Sequence, residues 1–393
     1  MTNDTLKFEM NTRLLNKKIF SPSTMDVKSV LYRYGHQFLR NVFFKKNLQF
    51  LIFAVTSHCN CFCSTCFYWK NLNQHDELSL DEIKKISKSI GEFYTLLISG
   101  GEPFLRADLF EICRLFIEQN KIAILSIPTN CTLPDRIIEF SCRILKEYPR
   151  IKLSINPSLD GFKETHDKIR GLDGIFDKAT ETLERLSKLK KDHGNLVVAV
   201  NTVITRQNFE ELESFMNYVY ETFQVGYHDF ELLRGDHKDP SLSLPSKEEL
   251  RDFHQKILCN RERYFERAKS GFLENLVVTG LLALTQNIKE DFLAKKIVPF
   301  DCTAGKNIGV IDANGDVKLC ELLPAVGNLK KVNYEFTSVW NSEEANKLRK
   351  WIREQKCHCT HVCFINLTVS KYLKSIFYVI FHYMSYKLKN GKN

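Results

Sequence analysis

Cys59, Cys63 and Cys66 form a Cys-x3-Cys-x2-Cys run within residues 57–69. Three thiolates on one short loop can bind three irons of a [4Fe–4S] cluster and leave the fourth iron open to a reacting ligand, whereas four-Cys runs close the cluster for electron transfer. Cys61 lies inside the run but outside its spacing, and reads as a bystander thiol. Zinc sites usually present paired Cys or His ligands at two separated places, and this loop offers a single Cys-x2-Cys pair. A later group, Cys302, Cys320, Cys357, Cys359 and Cys363, has enough ligands for a further cluster. Its competing reading is a structural zinc assisted by His358 or His361.

These thiols need rigid elements to hold them. Short β-branched, apolar runs at 50–55, 95–99, 122–127, 151–156, 196–203 and 227–232 predict parallel strands buried on both faces. Helices fit between them at 79–91, 107–119, 133–147, 174–192 and 208–223. Such alternation builds right-handed βαβ units, and six strands are too few to close an eight-stranded barrel. Chemistry then belongs at the C-terminal strand ends, where each chemical motif falls. The Cys run follows the first strand and Gly100-Gly101-Glu102-Pro103 the second. Thr129-Asn130 follows the third, Ser158-Leu159-Asp160-Gly161 the fourth, and Asn201 ends the fifth. Adjacent glycines let backbone approach a ligand closely, and Glu102 can accept hydrogen bonds from an ammonium group. Arg170 suits a bidentate hold on a carboxylate. Asp160 has a turn-capping alternative, His166 reads as a structural bond, and Asn208 as a helix N-cap.

Together, the Cys run, Gly100-Gly101-Glu102-Pro103 and the Ser158-Leu159-Asp160-Gly161…His166-Asp167…Arg170-Gly171 stretch resemble the radical S-adenosylmethionine (SAM) superfamily. That resemblance implies an α/β fold, an open (β/α)6 partial barrel over residues 48–240, and a [4Fe–4S] cluster chelated by SAM. A 5′-deoxyadenosyl radical would then abstract hydrogen from a substrate. It also implies cofactor contacts from Gly100, Gly101, Glu102, Pro103, Ser158, Asp160, Arg170 and Asn201. The sequence departs from the family at Thr65, where an aromatic or His commonly stands, so adenine packing passes to Phe67 or Tyr68. No catalytic acid–base triad stands out.

Residues 241–298 read as a helical bridge. Beyond them, Asn314-Gly315-Asp316 marks a tight hairpin between two short strands. With the later cysteines, the 299–365 segment resembles the SPASM/twitch iron–sulfur extensions of that superfamily. Five cysteines fit one auxiliary [4Fe–4S] cluster rather than two: Cys302, Cys320 and Cys363 first, with Cys357 or Cys359 completing the set.

The 393 residues carry 13 Cys and a net charge of +9. An odd cysteine count and a polar start argue for free thiols in a cytoplasmic setting. Positive charge gathers at two ends: residues 13–46 hold eight Lys/Arg against Asp26 alone, and residues 364–393 hold five Lys and no acid. The near-neutral body between them argues against nucleic-acid binding. Residues 30–46, in the basic extension 1–47, read as a helix covering the barrel or lying on lipid. The tail 366–393 mixes aromatics with lysines, as a docked helix or a peripheral membrane contact. The expected partners are an external electron donor such as flavodoxin or ferredoxin, and a substrate that is a peptide, a protein, or a lipid- or sugar-linked small molecule. The opposing functional class is a non-catalytic iron–sulfur or zinc protein that carries electrons or acts as a scaffold.

Overall fold

The computed structural model describes residues 48–355, 357 and 359–390. The helix expected at 30–46, and His358, lie outside the described residues. The first half alternates β1 (Phe50–Thr56), α1 (Leu80–Ile90), β2 (Thr95–Gly100), α2 (Leu109–Asn120), β3 (Ile124–Thr129), α3 (Pro134–Glu147) and β4 (Lys152–Pro157). It continues through α4 (Lys163–Arg170), α5 (Ile175–Asp192), β5 (Leu196–Ile204), α6 (Leu212–Thr222) and β6 (Tyr227–Leu232). Each strand pairs in parallel with its predecessor, from β1 to β6. In β1, Leu51 to Thr56 are all buried, which fits a strand covered on both faces.

Within the barrel, helix α4 is the element missing from the sequence reading. Its residues, Lys-Glu-Thr-His-Asp-Lys-Ile-Arg, bury only His166 and Ile169, so no apolar stripe marks it. The fold supplies its support. Asp167 accepts from the backbone N–H of Gly174 and Phe176, both at 2.8 Å, tying α4 to the start of α5.

Two long helices follow, α7 (Lys247–Arg267) and α8 (Phe272–Leu293). Ser246 and Glu249 close a reciprocal capping box at the start of α7. Then β7 (Ile308–Ile311), β8 (Asp316–Lys318) and β9 (Ala325–Asn328) complete the sheet. Strand β7 pairs in parallel with β1, and β8 and β9 add antiparallel. The sheet order is β6-β5-β4-β3-β2-β1-β7-β8-β9. The cysteine-rich extension therefore continues the barrel sheet from its β1 edge. The expected hairpin is present, with Gly315 at φ +90° in its turn, a conformation that favours glycine. Helices α9 (Phe336–Trp340), α10 (Glu343–Glu354), α11 (Val362–Val369) and α12 (Ser375–Asn390) finish the chain. No helix among the described residues is long and apolar enough to cross a membrane.

Candidate active site

The Cys loop leaves the end of β1 and is held at both sides. Ser57 N–H donates to Glu77 Oε1 at 2.5 Å, and the Ser57 and Thr56 hydroxyls donate to the same oxygen at 2.8 and 2.9 Å. On the far side, Phe62 and Ser64 N–H donate to the carbonyls of Arg170 and Ile169, each at 2.9 Å. Cys59 N–H donates to Asn73 Oδ1 at 3.1 Å. The end of α4 is thus a clamp on the loop as well as the source of Arg170.

The glycine pair works by close approach. A Cβ on Gly100 would lie 2.1 Å from the Thr56 carbonyl oxygen, and one on Gly101 2.0 Å from that of His58. Gly101 and Glu102 N–H donate to these same carbonyls at 2.8 Å. Glu102 is buried and accepts from Thr129 Oγ1 (2.8 Å), Asn130 N–H (2.7 Å) and Phe104 N–H (3.1 Å). Burial nevertheless pushes its carboxyl up to about 7. One of its four lone-pair positions remains for a ligand.

Arg170 Nη2 pairs with Asp160 Oδ2 at 2.7 Å, and Nη1 points at Cys63 Sγ at 3.7 Å. Burial opposes the guanidinium charge most strongly, but Asp160 together with the Cys63 and Cys61 thiols holds it above its ordinary value. Asp160 is fully buried; its other oxygen accepts from Val203 N–H at 2.9 Å. It stands behind Arg170, outside the cavity wall, so the geometry makes it a support for the arginine rather than a cofactor contact. His166 Nδ1 accepts from Asp160 N–H at 3.0 Å, and burial pushes that imidazole down to about 2, which makes it a neutral structural acceptor. Asn208 stands at the N-cap position of a short 3-10 turn, Phe209–Glu211, but its side chain makes no capping bond; its amide donates to the Asp160 and Val203 carbonyls at 2.7 and 2.8 Å, tying the loop after β4 to β5.

All these ends open on one cavity of about 320 Å³, within the range of small-molecule sites. Its wall includes Cys59, Cys63, Cys66, Tyr68, Gly100, Gly101, Glu102, Pro103, Thr129, Asn130, Ser158, Arg170 and Asn201. Ser158 and Asn201 face each other as a parallel β-bridge. Cys61 is more than a bystander in position. It lines the cavity, and its thiol, next to the Cys63 sulfur, lowers the Cys63 thiol below its ordinary value, with Arg170 adding to the effect. Burial pushes Cys59 and Cys66 up to about 11. Buried thiolates need a cationic partner, so the donor set fits a metal cluster.

Of the opposite wall, only His361 and Cys363 were read from the sequence, and as metal ligands. That wall carries Glu231, Arg234, Asp312, Glu321, His361 and Cys363. His361 Nδ1 accepts from Cys363 N–H at 3.3 Å, which leaves its Nε2–H to donate to Glu321 at 2.5 Å. Arg234 lies over the Phe67 ring at 4.9 Å and 3.4 Å from Glu231. These residues come from β6, the hairpin and the start of α11, and no local spacing connects them. The β6 alternation could have shown only that Glu231 shares a face with Asp229.

The late cysteines divide. Cys302, Cys320, Cys357 and Cys359 lie within electrostatic reach of one another, whereas the chief charged neighbours of Cys363 are Glu231, Glu321 and Arg234. Cys363 also lines the main cavity; the expected set held Cys302, Cys320 and Cys363, with Cys357 or Cys359 as the fourth ligand. Among the described residues no three His, Cys, Asp or Glu side chains converge as a single-ion site. A cluster asks less convergence, because each thiolate takes a separate iron.

A sequence model described as "Radical SAM superfamily" matches residues 53–219, and one described as "Iron-sulfur cluster-binding domain" matches 302–363. Residues 53–219 thus form a radical SAM domain and residues 302–363 a SPASM-type iron–sulfur extension. Among its relatives, the Fe-coproporphyrin III synthase of Methanosarcina barkeri is 31% identical over 183 residues, 46% of this chain and 43% of that protein. The aligned region thus spans less than half of that relative's length. The AdoMet-dependent heme synthase of the same organism is 28% identical over 290 residues, 69% of this chain and 73% of that protein. A solved structure described as native anSMEcpe with bound AdoMet and Cp18Cys peptide shares the fold at TM-score 0.57 and 17% identity, covering 88% of this chain and 97% of that one.

Proposed function

We propose that the chain binds SAM against the Cys loop and abstracts hydrogen from a polar substrate held between the SAM wall and the Glu231–His361 wall. The observation that carries this is that both walls line one cavity. Bound there, a cluster–SAM pair supplies a 5′-deoxyadenosyl radical after one-electron reduction. The protein's part is positioning. Cys59, Cys63 and Cys66 hold irons, and Gly100 and Gly101 bring backbone close to the ligand. Glu102 receives the SAM amine, Arg170 is held charged by Asp160 beside it, and Ser158, Asn201 and Tyr68 border the nucleoside.

One auxiliary cluster is assigned to Cys302, Cys320, Cys357 and Cys359, leaving Cys363 on the substrate side. The reductant is an external donor of the flavodoxin or ferredoxin kind. Arg234 favours a substrate bearing a carboxylate, a feature that a tetrapyrrole and a peptide both provide. A peripheral membrane contact belongs to the same reading, since the basic ends suit it. The test is anaerobic reconstitution with dithionite and SAM, scoring 5′-deoxyadenosine with an iron coproporphyrin and with acidic peptides. Absence of 5′-deoxyadenosine under every condition refutes the reading.

A further inference from the structure

Helix α12 is apolar on two sides, and the fold uses one. On the inner side Tyr383 and Tyr386 are buried. Tyr378 meets the Phe300 ring at 5.3 Å, and Tyr386 Oη lies 3.0 Å from Glu262 Oε2. The helix crosses α8 closely, for a Cβ on Gly280 would lie 2.4 Å from the Val379 carbonyl oxygen. The aromatic tail is therefore a docked helix. Its outer side remains apolar and uncovered by described residues. Ile376, Phe377, Ile380, Phe381, Met384 and Leu388 recur at helical spacing, 42–76% exposed. They form a stripe along a helix roughly 24 Å long. Such a stripe presents on the order of 500 Å² of continuous apolar surface, a size that marks an interaction site.

Charge identifies the occupant. The five lysines of residues 364–393 have no acid among them in sequence; in the fold Lys387 pairs with Glu262 at 2.5 Å and Lys374 donates to the Pro299 carbonyl at 2.6 Å. Gln49 N–H donates to the Asn307 carbonyl at 2.8 Å, and Lys371 Nζ lies 3.4 Å from Asn307 Oδ1, so the start of the described chain meets the residues just before α12. The sequence 13–46 is itself basic, with eight Lys/Arg and one acid. Laying that sequence, or a second copy of α12, over the stripe would set cations against cations. An anionic bilayer offers both an apolar interior and a negative surface.

We propose that the outer face of α12 is a membrane-docking surface that inserts its Phe377–Phe381 side into the headgroup boundary of anionic lipid. This goes beyond the cofactor reading and does not depend on it. The experiment is flotation of the full-length reconstituted enzyme with phosphatidylcholine vesicles, with and without phosphatidylglycerol, at rising salt. The parent chain floats with the anionic vesicles, and salt weakens the association. The Phe377→Ser/Phe381→Ser variant loses on the order of 100-fold in partitioning while keeping its iron content and SAM cleavage. Ile376→Ser/Ile380→Ser is the second variant, should the first lose its circular-dichroism spectrum. Three results overturn the proposal: no flotation of the parent, undiminished flotation of a folded variant, or a parent dimer that the variant turns into a monomer.

Discussion

Gly101→Ala tests the close approach on which the cofactor site depends. The new Cβ would stand 2.0 Å from the His58 carbonyl oxygen, 2.5 Å from its carbon and 2.8 Å from the Ser57 oxygen. All three are backbone atoms, so no side chain can swing aside. Relief requires the end of β2 to part from the Cys loop, which breaks the Gly101–Thr56 and Glu102–His58 hydrogen bonds. Overpacking costs about 1–3 kcal/mol and each bond about 1 kcal/mol, about 3–5 kcal/mol in all, concentrated at the site. Three kcal/mol corresponds to more than roughly 100-fold in affinity. The assay is iron per chain after anaerobic reconstitution, together with SAM affinity. The parent should hold about eight irons and the variant about four, those of the auxiliary cluster, with SAM binding weakened to that degree. Gly174→Ala is the control, for its Cβ meets nothing within 4 Å although φ is +75°. That variant should lose about 1–2 kcal/mol of stability and no iron. Full loading with unaltered SAM affinity in Gly101→Ala would refute the reasoning.

Arg170→Lys should weaken SAM binding by about 1–3 kcal/mol, because a point charge cannot reproduce the planar fork that faces both Asp160 and Cys63; equal affinity in an anaerobic titration would make Arg170 purely structural. Asp160→Asn breaks a buried ion pair and should cost about 3–5 kcal/mol in urea unfolding, with a surface-like loss below 1 kcal/mol counting against the pairing. Cys61→Ala should keep the iron content of the parent while Cys63→Ala loses about four irons, and iron loss in Cys61→Ala would make Cys61 a ligand. For Glu102, burial lifts the folded-state carboxyl from its ordinary 4.5 to about 7, so the folded chain holds the proton more tightly. Its contribution to stability is full below about 4.5 and falls as pH rises to about 7, by up to about 3 kcal/mol. Urea unfolding of the cofactor-free chain against Glu102→Gln should show that slope in the parent alone; parallel profiles would show that the carboxyl ionises normally.

The sequence by itself determined the parts whose signal is local. Thiol spacing over residues 59–66 needs only a short loop to mean a cluster site, and Gly100-Gly101 needs only a strand end. The barrel strands were legible as short runs of strand length between helical stretches: β1 is a continuous apolar run because both its faces are covered, whereas β6 alternates buried and half-buried residues and was read at its observed bounds, Tyr227–Leu232. Helix α4 was not legible, because a polar octapeptide is stabilised by Asp167 and the Cys loop rather than by an apolar stripe. Tertiary structure alone set Asp160 behind Arg170, drew the Asn208 side chain from its cap position to the Asp160 and Val203 carbonyls, and gathered Glu231, Arg234, Glu321 and His361 opposite the Cys loop. It also decided which side of α12 docks. The tail's composition is apolar around much of the helix, and only the close passage at Gly280 selects the tyrosine side for burial. Contacts between residues far apart in sequence leave no periodic trace, so a wall built from three separate elements becomes visible only when the sheet brings them together.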